Sequence, residues 1–284
     1  MQCRKLKRSQ LLKLLSLVVL LSTSSLHAKT TSLIEGIFWQ PNRATVNPYG
    51  SWDAIGGNTF IIQYAVTDGK SWYKSKNFQS WSNENDWKRI RNEPWSQNFI
   101  LGLAGSYDEP KGRNSLSELL QQSLVLIEET KGLRPSAYYF PVEVDPTWTN
   151  LDDYVRVLNQ LPRPLWISVY SADKSSRDIS TWLNQWLPQD VNVFFQDGVG
   201  VGVRSPKQAL RMYKQLKNSL GENRVALISE AFRQRQIFSG NRSATFLELA
   251  EQLDTYQGER IYIFDGPHYL GRISTYFLKQ RYGH

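Results

Sequence analysis

The 284-residue chain predicts a single (β/α)8 barrel of the α/β class over residues 29–284, behind a signal peptide at residues 1–28. Strand-like and helix-like segments alternate regularly from Asn98 onward, and two more strand-like runs precede them. Eight such units in roughly 250 residues have the rhythm and size of a closed parallel barrel. The competing architecture is a doubly wound open sheet, but no strand leads into a glycine-rich phosphate loop. "GVGVG" at 198–202 sits too late and has the wrong spacing for one.

The N-terminus comes first. "MQCRKLKRSQ" carries Arg4, Lys5, Lys7 and Arg8 and no acid; "LLKLLSLVVLL" is apolar but for Lys13 and Ser16; "STSSLHA" ends in small residues suited to cleavage after Ala28. This is the layout of a secretory signal peptide. The apolar run Leu14–Leu21 is short for a bilayer span, although an uncleaved anchor is the alternative. Export to the periplasm or the medium is therefore expected, with no stable membrane insertion once the signal is cut.

"IEGIFWQP" and "NTFIIQYAVTD" supply the first two strands, with short helical pieces at Asp53–Ile55 and around Trp81–Arg91. "NFILGLAGSY" is the third strand. Its helix, "NSLSELLQQSLVLIEETKG", keeps Leu116, Leu119, Leu120, Leu124 and Ile127 at helical spacing. Asn114 or Ser115 is its expected cap, Glu118 closes a capping box and Gly132 ends it. "SAYYFPVEVD" and "NLDDYVRVLNQLP" form the fourth unit, and "PLWISVYSA" and "DISTWLNQWLP" the fifth. In the sixth, "VNVFFQDGVG" precedes a helix with Ser205 as cap, Pro206 at its first position and Gly221 after it. "RVALISEAF" with "TFLELAEQLDTYQG", and "RIYIFDGPHY" with "GRISTYFLKQRY", complete the set.

Composition narrows the chemistry. Removing residues 1–28 takes five basic residues and no acid, so the net charge falls from +8 to about +3. The basicity belongs largely to targeting, which argues against a nucleic-acid partner. Cys3 leaves with the signal, so disulfides and cysteine metal sites are excluded. His268 and His284 are too few and scattered for a histidine-rich metal centre. All ten tryptophans follow Ala28. Trp182 and Trp186, four apart on a helix, read as packing; Trp72, Trp81, Trp87 and Trp95, in the long insertion after the second strand, are candidates for sugar platforms.

A barrel of this kind holds its active site at the C-terminal ends of its strands. In chain order these ends carry Trp39; Gln63; Tyr107; Glu143 and Asp145, with Trp148 following; Tyr170; Gln196 and Asp197; Glu230; and Asp265 with His268. Carboxylates gather at strands four, six, seven and eight, beside aromatic residues. Glu143 and Glu230 are the pair that matters most, because two carboxyls flanking one bond are what glycoside hydrolysis needs. One delivers a proton to the leaving oxygen; the other attacks the sugar carbon or activates water. Strand alternation places Ala137, Tyr139, Pro141, Glu143 and Asp145 on one face, which aims Glu143 into the mouth. The bland alternatives are a solvated rim and an ion pair between Glu230 and Arg233 or Arg235. Asp197 before Gly198, and Asp265 before Gly266-Pro267, also suit plain turns.

At this point a resemblance is visible. The layout is similar to the clan of TIM-barrel glycoside hydrolases that carry the acid/base glutamate on strand four and the nucleophile on strand seven. More narrowly, "YYFPVEVD", "FFQDGVG" and "LISEAF" resemble a family of secreted bacterial barrels of unknown function, presumed glycosidases. The resemblance spans most of residues 33–280. It implies Glu143 as acid/base, Glu230 as nucleophile, and Gln196 and Asp197 at the floor of the sugar site. Val142 departs from the clan, many members of which have Asn before the strand-four glutamate; Asp197 thereby enters as an alternative member of the catalytic pair.

The expectation is a secreted or periplasmic hydrolase, a glycosidase working on a polysaccharide or oligosaccharide as a monomer, with no cofactor and no metal. A non-catalytic carbohydrate-binding barrel is the first rival, and a metal-dependent hydrolase built on Asp197, Asp265 and His268 the second. Arg204, Arg233 and Arg235 follow strands six and seven and are candidates to clamp an acidic glycan. Export itself is checked by N-terminal sequencing of the mature protein. It should begin after Ala28, and a chain still beginning at Met1 contradicts the signal-peptide reading.

Overall fold

The computed structural model describes residues 33–82, 86–148, 151–172, 179–235 and 239–282. The segment read as a signal peptide lies outside these. Among the described residues, no helix is long and apolar enough to cross a membrane.

Eight parallel strands close a barrel: β1 (Gly36–Trp39), β2 (Thr59–Ile62), β3 (Asn98–Gly102), β4 (Ala137–Val144), β5 (Leu165–Val169), β6 (Val191–Gln196), β7 (Val225–Glu230) and β8 (Ile261–Phe264). Each pairs with its neighbour in sequence, and β1 closes on β8 through Gly36 opposite Tyr262. The β4–β5 ladder shifts register between Phe140 and Val144, the stretch that contains the strand-four acid.

Alternation along the strands sorts the core into two populations. Phe38, Ile61, Ile100, Tyr139, Trp166, Phe194, Ile228 and Tyr262 fill the barrel interior. Their immediate neighbours Trp39, Phe60, Phe99, Phe140, Ile167, Phe195, Leu227 and Ile263 face the helical layer. Phe194 is the hub of the interior. Its ring meets Trp166 at 4.3 Å, Phe38 and Tyr262 at 5.0 Å and Tyr139 at 5.9 Å.

The helices are α1 (Trp87–Asn92), α2 (Glu109–Asn114), α3 (Leu116–Thr130), α4 (Asp152–Leu158), α5 (Ile179–Trp186), α6 (Pro206–Leu220), α7 (Phe246–Thr255), α8 (Gly266–Tyr269) and α9 (Arg272–Tyr282). Ser205 and Gln208 close a capping box at α6, and Thr245 and Glu248 another at α7. The box expected at Ser115 and Glu118 does not form. Ser115 also terminates α2, its N–H bonds back to Gly112, and its backbone lacks the extended conformation a capping side chain needs.

The insertion after β2 builds a small sheet from Val66–Thr67, Lys70–Ser71 and Gln79–Ser80, joined by Ala104–Gly105 from just beyond β3. Its anchor is Glu129 of α3, which accepts from the Tyr73 hydroxyl at 2.5 Å, Ser75 Oγ at 2.6 Å, Asn77 Nδ2 at 2.6 Å and two backbone amides. The insertion tryptophans pack inward. Trp72, Trp87 and Trp95 are buried, and Trp81 stacks on Trp72 at 5.7 Å. The platform role does not fit them. Trp182 and Trp186 pack on the outer core, as helical spacing predicts.

Removing the hub should be expensive. Phe194→Ala is expected to lower unfolding free energy by about 3–5 kcal/mol, the range for a fully buried aromatic. Urea denaturation measures it, and a loss under 1 kcal/mol would show that the interior rings do not depend on Phe194.

Candidate active site

At the C-terminal mouth the interior opens into a cavity of about 340 Å3, large enough for a sugar-sized ligand. Alternation decides what reaches it. Tyr139 and Glu143 come from β4, Gln196 from β6 two residues beyond the interior Phe194, Ile228 and Glu230 from β7, and Phe264 from β8. Gln63 and Tyr170 arrive from just beyond β2 and β5, each two residues after an inward side chain. Phe38, Val201, Phe232 and Glu109 complete the described wall. Five expected site residues are thus brought together: Gln63, Glu143, Tyr170, Gln196 and Glu230.

Among the described residues, Glu143 accepts one hydrogen bond, from Gln196 Nε2 to its Oε1 at 2.7 Å. Burial is the main force lifting its pKa to about 7; the Glu109 and Asp145 charges add, while Gln196 and Arg113 oppose. Glu230 is 3% exposed. Its Oε2 accepts from the Gly200 amide at 2.6 Å and the Val201 amide at 3.2 Å. Burial pushes Glu230 up to about 8, Asp197 and Glu143 add to the push, and the two backbone donors pull against it.

The "GVGVG" stretch is therefore a cradle for a carboxylate of the protein itself. Successive backbone N–H groups make an anion-binding concavity, here filled by Glu230. Gly200 is required for the approach: a Cβ there would lie 2.8 Å from both Glu230 Cβ and Oε2. Gly198 turns the chain with φ +63°.

Asp197 does not reach the cavity. It is fully buried on the outward side of β6, where its Oδ2 accepts from Gln252 Nε2 at 2.7 Å and the Tyr256 hydroxyl at 3.0 Å. Its Oδ1 accepts from the Val199 amide at 3.1 Å and, more weakly, the Glu230 amide at 3.4 Å. Burial raises its pKa too, against these hydrogen bonds. Its place is that of a positioning residue behind both the cradle and Glu230, which corrects its reading as a member of the catalytic pair.

Other expected residues also fall elsewhere. Trp39 follows the inward Phe38, so it points outward, fully buried, with its indole N–H on Thr45 Oγ1. Tyr107 is 45% exposed and gives its hydroxyl to the Pro41 carbonyl. Asp145 is paired with Arg113 at the rim, and Trp148 packs on Tyr154 and under the Arg113 guanidinium. Asp265 follows the inward Phe264 and is buried behind it, accepting from the Gln40 amide at 2.9 Å and paired with His268 at 2.6 Å. The Asp197–Asp265–His268 metal reading fails on these partners, because Asp197 is held by Gln252 and Tyr256 instead. Among the described residues, no group of three His, Cys, Asp or Glu side chains could hold a metal ion.

The arginines expected to clamp an acidic glycan are engaged with the protein. Arg204 is buried with its guanidinium on the carbonyls of Gln196, Asp197 and Ser171. Arg233 binds the carbonyls of Glu230, Phe232 and Glu248 and the Gln252 amide oxygen. Arg235 is exposed, and neither it nor the other two lines the cavity.

Glu109 is the acid that sequence reasoning missed. It opens α2, a helix too short to carry an apolar period, so no pattern pointed to it. Phe38 and Phe264 were recoverable, since the strand parity that turns Trp39 and Asp265 outward turns these two inward.

No model of a protein family matches the chain, and no curated protein matches it. Solved structures show likeness in shape. A D-tagatose 3-epimerase-like protein aligns over 87% of this chain and 95% of its own at 13% identity and a TM-score of 0.45. The Bacillus cereus spore cortex-lytic enzyme SleL aligns over 88% and 74% at 11% identity and a TM-score of 0.48. The strand pairing itself establishes the barrel.

The cradle makes a stability prediction. Gly200→Ala overpacks Glu230 and should cost about 1–3 kcal/mol in urea denaturation. Gly132→Ala, where an added Cβ meets nothing within 4 Å, is the control and should cost far less. Equal effects at the two positions would contradict the close approach.

Proposed function

We propose that the protein is a glycoside hydrolase, exported to the periplasm or the medium, that cleaves a polysaccharide or oligosaccharide with Glu143 and Glu230. The observation that carries the reading is that two carboxyls enter one aromatic-walled cavity with unlike hydrogen bonding. Glu230 receives two backbone N–H donors, which favour its ionised form. Glu143 receives a single amide donor on one oxygen, leaving the other to carry a proton. Burial raises both carboxyls, so the pair holds a proton near neutrality, and the unequal donors direct it to Glu143, which makes the acid–base assignment.

In this mechanism the Glu143 proton goes to the glycosidic oxygen as the bond to the anomeric carbon breaks. Glu230 attacks that carbon, or activates the water that does. A carboxyl separation of ~5–5.5 Å belongs to the first course and ~6.5–9.5 Å to the second. Gln196 holds the Glu143 carboxyl in place, and Tyr170, Phe232 and Phe264 offer apolar faces to the sugar rings.

The test is hydrolysis of a panel of polysaccharides by the purified mature protein. Glu143→Gln keeps shape and hydrogen bonding but removes the proton, and should lower the rate on the natural glycan by ~10²–10⁴-fold. Glu230→Gln should lose at least as much. The acid must be protonated, so activity should fall as pH rises through about 7, following Glu143. A Glu143→Gln enzyme working at the parental rate refutes the assignment. Glycan binding without turnover by the parent protein would instead identify a binding barrel.

A further inference from the structure

Three carboxylates face the cavity, and the chemistry above uses two of them. The third, Glu109, stands at the first position of α2 with its side chain half exposed. Its Oε1 accepts from Arg113 Nη2, and that same nitrogen also serves Asp145. One guanidinium thus answers two acids, and the rim cluster keeps a net negative charge. Asp145 stays ionised despite its partial burial, because Thr147 and Arg113 hold its carboxyl below the usual range.

Nothing positive offsets this inside. Among the described residues that line the cavity there is no Lys, Arg or His. Arg204 and Arg233, behind it, are fixed on backbone carbonyls. Lys111 of α2 is drawn off by Asp68 at 2.9 Å. A cleft lined by charge of one sign with low-dielectric walls concentrates ligands of the opposite sign. An anionic sugar would meet Glu230 and Glu109 with Arg113 the one cation at hand, already divided between Glu109 and Asp145.

We propose that this cavity takes a glycan whose sugars carry free amino groups, and that the Glu109 carboxylate selects them by pairing with the ammonium. The inference rests on the glycoside-hydrolase reading of the same cavity and names its substrate class. Glu109 then acts in specificity, while Glu143 and Glu230 act in bond cleavage.

The experiment is calorimetric binding to the Glu143→Gln protein, at a pH where the amines are protonated. The probes are glucosamine trimers in β-1,4 and β-1,6 linkage, their fully N-acetylated forms, and a galacturonate trimer. An amine-bearing trimer should bind about fivefold tighter than its acetylated form, the size of one partly exposed ion pair. The galacturonate should bind weakest. The advantage should shrink at high salt and vanish in the Glu143→Gln, Glu109→Gln double variant, with binding of the acetylated trimer little changed. Equal or tighter binding of the acetylated or acidic trimer overturns the inference, as does an amine preference that survives Glu109→Gln or binding of none of the probes. Turnover separates the two proposals. If the parent enzyme cleaves only neutral or acidic glycans, the hydrolase reading stands and this inference falls. If it binds the amine trimer with the expected selectivity and cleaves no glycan, the hydrolase reading falls and the selectivity stands.

Discussion

Side-chain alternation on a closed barrel gives each strand end one choice: of two neighbouring residues, one faces the mouth and the other the helical layer. The strand-borne features of the site follow from how that choice falls. On β6 it sends Gln196 in and Asp197 out. On β8 it sends Phe264 in and Asp265 out, and on β1 Phe38 in and Trp39 out. A slip of one residue in any strand would exchange these pairs and remove the site. The aromatic interior around Phe194 holds the parity in place, because its rings pack edge and face on one another and a slip would break that set.

Burying carboxylates so close together is costly unless each is answered by donors. The loop after β6 supplies them. Gly198 turns the chain, Gly200 lets the backbone come against Glu230, and the Gly200 and Val201 amides meet its carboxylate. Asp197 and Arg204 fix this loop from beneath, the acid through the Val199 amide and the base through the Gln196 and Asp197 carbonyls. The polar residues between the barrel and α7 thus serve the two glutamates without touching the cavity, and Gln252 joins Asp197 to the Glu230 carbonyl.

The barrel was legible in the sequence because its two signals, strand runs and capped amphipathic helices, are local. Glu143 and Glu230 were legible because each ends an apolar strand with the right parity. What the sequence did not separate were adjacent polar residues at one strand end, such as Gln196 from Asp197, since strand register is needed to choose between them. The fate of the arginines was also hidden. Arg204 and Arg233 look like free cations in a sequence, and only tertiary packing brings the carbonyls that hold them. Glu109 was invisible for a third reason: its place depends on how α2 lies against the end of β4, a long-range contact with no local period.

The central claim is that burial keeps a proton on the Glu143–Glu230 pair near neutrality, and that the two backbone donors at Glu230 direct it to Glu143. Carboxyl-carbon NMR of the mature protein with labelled glutamate, assigned by the Glu143→Gln and Glu230→Gln variants, measures this directly. Burial lifts both carboxyls, and the account predicts that both resonances titrate above the ordinary carboxylate range, with Glu230, held by its two backbone donors against the single donor at Glu143, the first of the two to ionise. A Glu230 that retains its proton above the Glu143 midpoint, or a Glu143 that titrates in the ordinary carboxylate range, would contradict it.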